Sequence, residues 1–175
     1  MLKSHMLRKI NIFILYVLLS LTMEAKEPTL AILNDTISNE VQEFGIGSYT
    51  FECRPYGILT LERLYSTAKP GSICRNNIDM FYRKNPKFKY YANRLLEYKQ
   101  TYHVEIKESE CILYARGQVT LSELLLVEGL AVKKPMFKDE EFASYFTLAQ
   151  RKAKIDKKGL WGEKIFNNCI AELYK

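Results

Sequence analysis

Residues 117–162 read GQVTLSELLLVEGLAVKKPMFKDEEFASYFTLAQRKAKIDKKGLWG, and this stretch decides the fold. Thr120 followed three residues later by Glu123 is a capping box, the reciprocal hydrogen-bond pattern that starts a helix, so a helix is predicted over 121–128. Gly129 stands just past its end, where glycine closes a helix in the left-handed conformation. After the Gly129-Leu130-Ala131 turn, a longer basic helix is predicted over about 139–157. Phe142, Phe146, Ala149 and Ala153 recur there at helical spacing on one inward face. Gly159-Leu160-Trp161-Gly162 ends it, with Trp161 expected to be largely buried.

Upstream, the pattern changes twice. In residues 29–53, TLAILNDTI and GSYTFEC are β-branched and alternating, separated by the Gly45-x-Gly47 break, which fits a meander of two or three strands. Residues 57–102 turn helical. Leu61, Leu64, Tyr65 and Ala68 share one helix face behind Thr60, and Lys69-Pro70-Gly71 stops that helix. Cys74, Ile78, Phe81 and Tyr82 repeat the spacing in a second helix. Asn85-Pro86 then opens a third, lined by Phe88, Tyr91, Ala92, Leu95 and Tyr98. Tyr102, Val104 and Ile106 alternate with polar residues, and the turn 107–110 leads into Cys111-Ile112-Leu113-Tyr114-Ala115, a hairpin.

The C-terminal helix pair resembles the thermonuclease (staphylococcal nuclease-like) family. Leu125, Gly129, Leu130 and Ala131 match the family's first helix and its exit. Ala149, Ala153, Lys154, Lys157, Gly159, Leu160 and Trp161 match its second. The resemblance spans roughly residues 29–162 and is carried mainly by the last third. It implies an α+β fold: a five-stranded OB-type Greek-key β-barrel with additional α-helices. The helices over about 57–85 read as an insertion in place of the family's catalytic loop.

The same resemblance implies a calcium-dependent phosphodiester hydrolase, whose chemistry needs a cation on the phosphoryl oxygens, a water-activating base and positive donors. Asn34-Asp35-Thr36-Ile37 stands at the first motif, so Asp35 takes the place of a calcium carboxylate; a turn residue between strands is the competing reading. Phe51-Glu52-Cys53 stands at the second, with Glu52 at the phosphate arginine and Arg54 two residues on as its substitute. No Asp-x-Pro-Glu follows. Glu62 is the nearest acid to serve as base, although a solvated helix face is the ordinary role for it. The hairpin 107–110 lacks the family's second arginine. One carboxylate is a poor calcium site, since hard cations take six or more oxygens.

Binding capacity is better represented. Arg83, Lys84, Lys87 and Lys89 interleave with Phe81, Tyr82, Phe88, Tyr90 and Tyr91, the mixture of bases and rings that tracks a nucleic-acid backbone. Helical spacing leaves Tyr90 outside. Lys152, Lys154, Lys157 and Lys158 form a second basic run, where a solvated face is the default. The net charge of +6 is a modest bias that agrees with a polyanionic partner, DNA or RNA.

Lys3, Arg8 and Lys9 before the apolar run Ile10 to Leu21, with Ala25 as cleavage residue, read as a signal peptide over 1–25. Uncleaved, it is a membrane anchor. Residues 26–175 then form a single domain, secreted or periplasmic and expected to be a monomer. Cys53, Cys74, Cys111 and Cys169 lie beyond that segment and are expected in disulfides. Three pairings are open, and Cys53 with Cys74 and Cys111 with Cys169 is the one favoured, each closing a loop near one end of the core. No C-x-x-C pair is present and His103 is the only histidine outside the signal, which argues against zinc. Three functions fit: a rewired nuclease, a non-catalytic envelope DNA binder, for example in DNA uptake, and a protein-interaction module on the same fold.

Overall fold

The computed structural model describes residues 28–163 and 165–173. The expected signal peptide, 1–25, lies outside them. The first half supplies β1 (Thr29–Thr36), β2 (Gln42–Ile46), β3 (Tyr49–Cys53) and β4 (Ile58–Thr60). Helices α1 (Leu61–Thr67), α2 (Ile73–Lys84), α3 (Pro86–Lys89) and α4 (Tyr91–Leu95) follow. Next come β5 (Thr101–Lys107), β6 (Glu110–Arg116), β7 (Val119–Thr120), α5 (Leu121–Val127), β8 (Ala131–Lys133), α6 (Ala143–Ile155), a short 3-10 turn at Gly159–Trp161, and α7 (Ile165–Leu173). Among the described residues no helix is long and apolar enough to cross a membrane.

The main sheet is antiparallel and runs β3-β2-β1-β5-β6-β7, while β4 and β8 form a separate two-stranded ladder. The expected α+β character holds. The strand count does not: the sheet has six strands where five are expected, because the turn at Gly117 folds β7 back onto β6. Nor does the sheet close into a continuous barrel. At its two sides, the chain leaving β3 meets the start of β6 in one parallel bridge between Pro55 and Cys111. Two hydrogen bonds make that contact, Cys111 N–H to Arg54 C=O at 2.8 Å and Tyr56 N–H to Cys111 C=O at 3.0 Å.

Burial follows the pattern of each strand. β1 turns Ala31 and Leu33 inward and leaves Leu30 and Ile32 exposed. In β6, Cys111, Ile112 and Leu113 are all buried, because this strand is covered on both faces. The core gathers Leu33 and Phe44 from the sheet, Leu121, Leu125 and Leu126 from α5, and Phe146 from α6. Thr120 accepts from Glu123 N–H at 3.2 Å while the Glu123 carboxylate accepts from Thr120 N–H at 2.9 Å, so the capping box is formed. The inward face of α6 is the expected one, with Phe142 at its N-cap.

Gly129 and Gly159 meet backbone to backbone. Both have positive φ, 66° and 51°, and Leu160 N–H donates to Gly129 C=O at 2.9 Å. A β-carbon on Gly129 would collide with the Lys158 carbonyl, and one on Gly159 with the Gly129 carbonyl, so a larger residue at either position would force the backbone apart.

Two expectations need correction. The disulfides join Cys53 to Cys111 and Cys74 to Cys169, with Cα–Cα separations of 5.5 and 4.6 Å, and not the pairs nearest in sequence. The reason is topological: the parallel bridge brings the end of β3 beside β6, and α7 packs along α2. Trp161 packs against the core with only part of its surface exposed, its ring covered by the Lys154 ammonium 4.5 Å from the centroid. The third predicted helix is two short ones broken at Tyr90, and Tyr98 lies beyond them, exposed to solvent.

Candidate functional site

The densest polar cluster is built around the turn between β1 and β2. Ser38 Oγ accepts from the backbone N–H groups of Glu40 and Val41, both at 3.1 Å. That turn drives Asn39 and Glu40 into the protein, where both are buried. Asn39 is a junction: its Nδ2 donates to Glu62 Oε1 at 2.8 Å and to Phe88 C=O at 2.9 Å. Its Oδ1 accepts from Ala92 N–H at 2.9 Å. One side chain thus ties β1–β2 to α1, α3 and α4.

Glu40 is held from three sides. Thr60, the N-cap of α1, donates its hydroxyl to Glu40 Oε2 at 2.7 Å. Arg63 Nη1 lies 3.3 Å and Arg54 Nη1 3.6 Å from Glu40 Oε1. Arg54 also holds Glu52 at 2.9 Å. Both arginines nearest the expected catalytic position are therefore already paired with the protein's own carboxylates.

Glu62 does not take the solvated role that its place in α1 suggests. Its Oε1 accepts from Asn39 and, at 2.9 Å, from the Tyr82 hydroxyl, while Oε2 is buried without a hydrogen-bond partner. Burial raises its pKa. Donors from the backbone, Tyr82 and Asn39 pull it back, the neighbouring Glu40 charge adds to the rise, and burial wins. Tyr82 is likewise pushed up, first by burial and then by the Glu62 charge.

Beside Glu62 opens a cleft between α1 and α2, floored at one end by α3, with a volume of about 420 Å³. Glu62, Tyr65, Ile78, Asp79, Tyr82, Arg83 and Lys89 line it. Asp79 accepts only a long contact from the Tyr65 hydroxyl, 3.5 Å. The cleft therefore joins the expected base, Glu62, to two of the expected nucleic-acid contacts, Arg83 and Lys89. Lys87 sits over the Phe88 ring at 5.6 Å, and Lys89 over the exposed Tyr90 ring at 5.9 Å. Lys84 is engaged at 3.5 Å by Glu163.

Asp35 stands apart. It is exposed beside a register shift in β1, its Oδ1 accepts from Thr36 N–H at 2.7 Å, and it lines a different hollow with Asn93 and Tyr98. Among the described residues no group of three or more His, Cys, Asp or Glu side chains could hold a metal ion. A single exposed carboxylate falls far short of the six to eight oxygens calcium takes, so these residues do not fit that ion.

The hairpin 107–110 borders a second groove, about 500 Å³, with Tyr56, Lys134 and Phe137. Its inner polar groups are engaged with the protein: Glu110 pairs with Lys134 and accepts from Gly57 N–H at 3.1 Å, and Tyr56 donates to Asp139 at 2.9 Å. Burial, then the Asp139 carboxylate, pushes the Tyr56 hydroxyl up to about 12.

Asn39, Glu40, Asp79 and Tyr82 are the members that sequence patterning misses as site residues. Periodicity reports which apolar side chains turn inward and is silent on polar ones. The one available signal was Ser38-Asn39-Glu40, three polar residues where the strand pattern breaks. Neither a protein-family model nor a curated protein matches this sequence.

Proposed function

We propose that this chain is a thermonuclease-like domain of the OB type that binds nucleic acid through the α1–α2 cleft and does not hydrolyse it by the calcium route. The strand order β3-β2-β1-β5-β6 and the parallel bridge from the end of β3 to β6 support the OB reading, as the Gly129 and Gly159 contact supports the family resemblance. Two disulfides suit an oxidising compartment, so secretion or a periplasmic location belongs to the same proposal.

One observation carries the functional reading: Arg83 and Lys89 flank a cleft whose walls are Tyr65 and Tyr82, with Lys87 and the exposed Tyr90 beside it. Cations neutralise backbone phosphates and rings stack bases, which together hold single strands without a metal. Against catalysis stand Arg54 and Arg63, both paired with Glu40, and an Asp35 remote from Glu62's cleft.

The test is fluorescence anisotropy with labelled single- and double-stranded DNA over a salt series, beside digestion with calcium. Single-strand affinity should fall with a slope of about −0.7 per phosphate neutralised on a log–log plot. Arg83→Glu with Lys89→Glu should weaken it at least tenfold. Salt-independent binding, or binding indifferent to that double reversal, would sink the proposal. Calcium-dependent cleavage abolished by Glu62→Gln would replace it with the nuclease reading.

A further inference from the structure

The cleft's floor and rim carry opposite charge, and that division has chemical content. Arg83 and Lys89 are exposed, whereas Glu62 and Asp79 are partly covered. Glu62 Oε2 is a buried acceptor that no donor among the described residues satisfies. Asp79 has only the long Tyr65 contact at 3.5 Å, so most of its acceptor capacity is also unused. A phosphate is repelled by this floor and attracted to the rim. Whatever reaches the floor must therefore carry no negative charge and must bring N–H donors, while any phosphate attached to it stays outside.

Resting on the nucleic-acid reading above, we infer that the cleft seats one nucleobase bearing an exocyclic amino group, its amino hydrogens directed at Asp79 and Glu62 and its flanking phosphates at Arg83 and Lys89. Adenine and cytosine present such an amino group beside a ring acceptor, and guanine presents an amino group beside a ring N–H. Thymine and uracil offer two carbonyl acceptors around a single N–H, and their carbonyl oxygens would face carboxylates. The rings of Tyr65 and Tyr82 supply apolar walls for the base faces, a contribution indifferent to base identity. A volume of about 420 Å³ lies in the range of small-molecule pockets and takes one base with its sugar, not a duplex. The carboxylates therefore read the base and the cations hold the chain.

The two acids also act differently. Glu62 Oε1 is fixed by Tyr82 and Asn39 and Oε2 is buried, so Glu62→Gln can keep those bonds and set an amide N–H₂ where Oε2 now lies, at the wall of the cleft. That replaces an acceptor by a donor at one defined point. The variant should then favour bases that offer carbonyl oxygens. A purely structural role for Glu62 has no reason to produce a change in base preference.

The experiment measures binding of labelled homopolymeric deoxyadenylate, deoxycytidylate and thymidylate of about 12 nucleotides, a length within the site size of one OB-type domain. Wild-type protein should bind the first two at least about tenfold more tightly than thymidylate, the discrimination one good base contact provides. Asp79→Asn should shrink that gap to within about threefold, Glu62→Gln should shrink or reverse it, and Arg83→Glu should weaken all three alike. Equal binding of all three by wild type, or a gap that survives both acid variants, overturns the base readout and leaves the nucleic-acid proposal standing. Failure to bind any of the three overturns both. Asp79 is half-exposed, so its variant remains informative even if Glu62→Gln does not fold.

Discussion

Replacing Glu40 by glutamine isolates the charge at the centre of the polar cluster. The substitution keeps the side chain's size and one acceptor, so the Thr60 hydroxyl, now 2.7 Å away, retains a partner. The two arginine contacts are lost, and an amide donor is forced toward guanidinium donors. Each ion pair is partly exposed on the arginine side, 34% for Arg54 and 44% for Arg63, so a full buried-pair penalty does not apply. Two screened pairs at about 0.5–1 kcal/mol each, plus about 1 kcal/mol for the mismatched donors, give a loss of roughly 2–3 kcal/mol. Relief of the buried charge offsets part of this, leaving about 2 kcal/mol. In urea, with a slope of about 2 kcal/mol per molar, the midpoint should fall by about 1 M at unchanged slope. Arg54 and Arg63 would be released at the same time, so single-stranded DNA should bind the variant several-fold more tightly. A midpoint shift below about 0.2 M, within the error of such fits, with unaltered DNA affinity would refute the claim that Glu40 organises these arginines.

Non-reducing peptide mapping should recover Cys53 linked to Cys111 and Cys74 linked to Cys169. Replacing Cys74 and Cys169 by serine removes a link across a separation of 95 residues and should cost up to about 4.7 kcal/mol by chain entropy; a cost under about 1 kcal/mol would mean the bridge contributes little. The raised pKa of Glu62 means the folded state holds its proton more tightly than the unfolded chain. Stability from this group is therefore fully present below the unfolded pKa and is lost as pH rises through the folded one. Denaturation midpoints should decline over that window in wild type and flatten in Glu62→Gln; parallel curves would contradict the assignment. Trp161→Ala should cost about 2–3 kcal/mol, at or below the low end of the 3–5 kcal/mol of a fully buried aromatic, because part of the ring stays exposed beside Lys154. A cost above about 4 kcal/mol would show that its packing is underestimated.

What was readable in the chain is what local physics writes there. The Thr120–Glu123 box, the Gly129 exit, the face of α6 and the hairpin 101–116 each depend on neighbours within a few residues, and each is found near its predicted bounds. The disulfide pairing depends on which strand ends are brought side by side, information spread over 58 and 95 residues. Glu62 shows the same boundary. Helical spacing assigned Leu61, Leu64, Tyr65 and Ala68 to the inner face and left Glu62 to solvent by elimination. That logic fails because α1 is covered on a second side by the 37–41 turn and α2, and the covering is polar. Asn39 and Glu40 are invisible to apolar periodicity for the same reason, and the division of the α1–α2 cleft into an acidic floor and a basic rim emerges only in three dimensions.

The paired glycines, finally, bear on how this chain can drift. Elsewhere a lost contact can be recovered by a neighbour: a leucine shrinks, a methionine fills, an arginine finds another acid. At Gly129 and Gly159 a changed neighbouring side chain cannot compensate, since backbone is the obstacle at each: the Lys158 carbonyl at Gly129 and the Gly129 carbonyl at Gly159. Descendants of a common ancestor can exchange nearly every surface charge and even the reactive groups while keeping both glycines or losing the fold. Distant kinship should therefore be sought through this spaced pair, with the helix between them as ruler, rather than through the residues that perform chemistry.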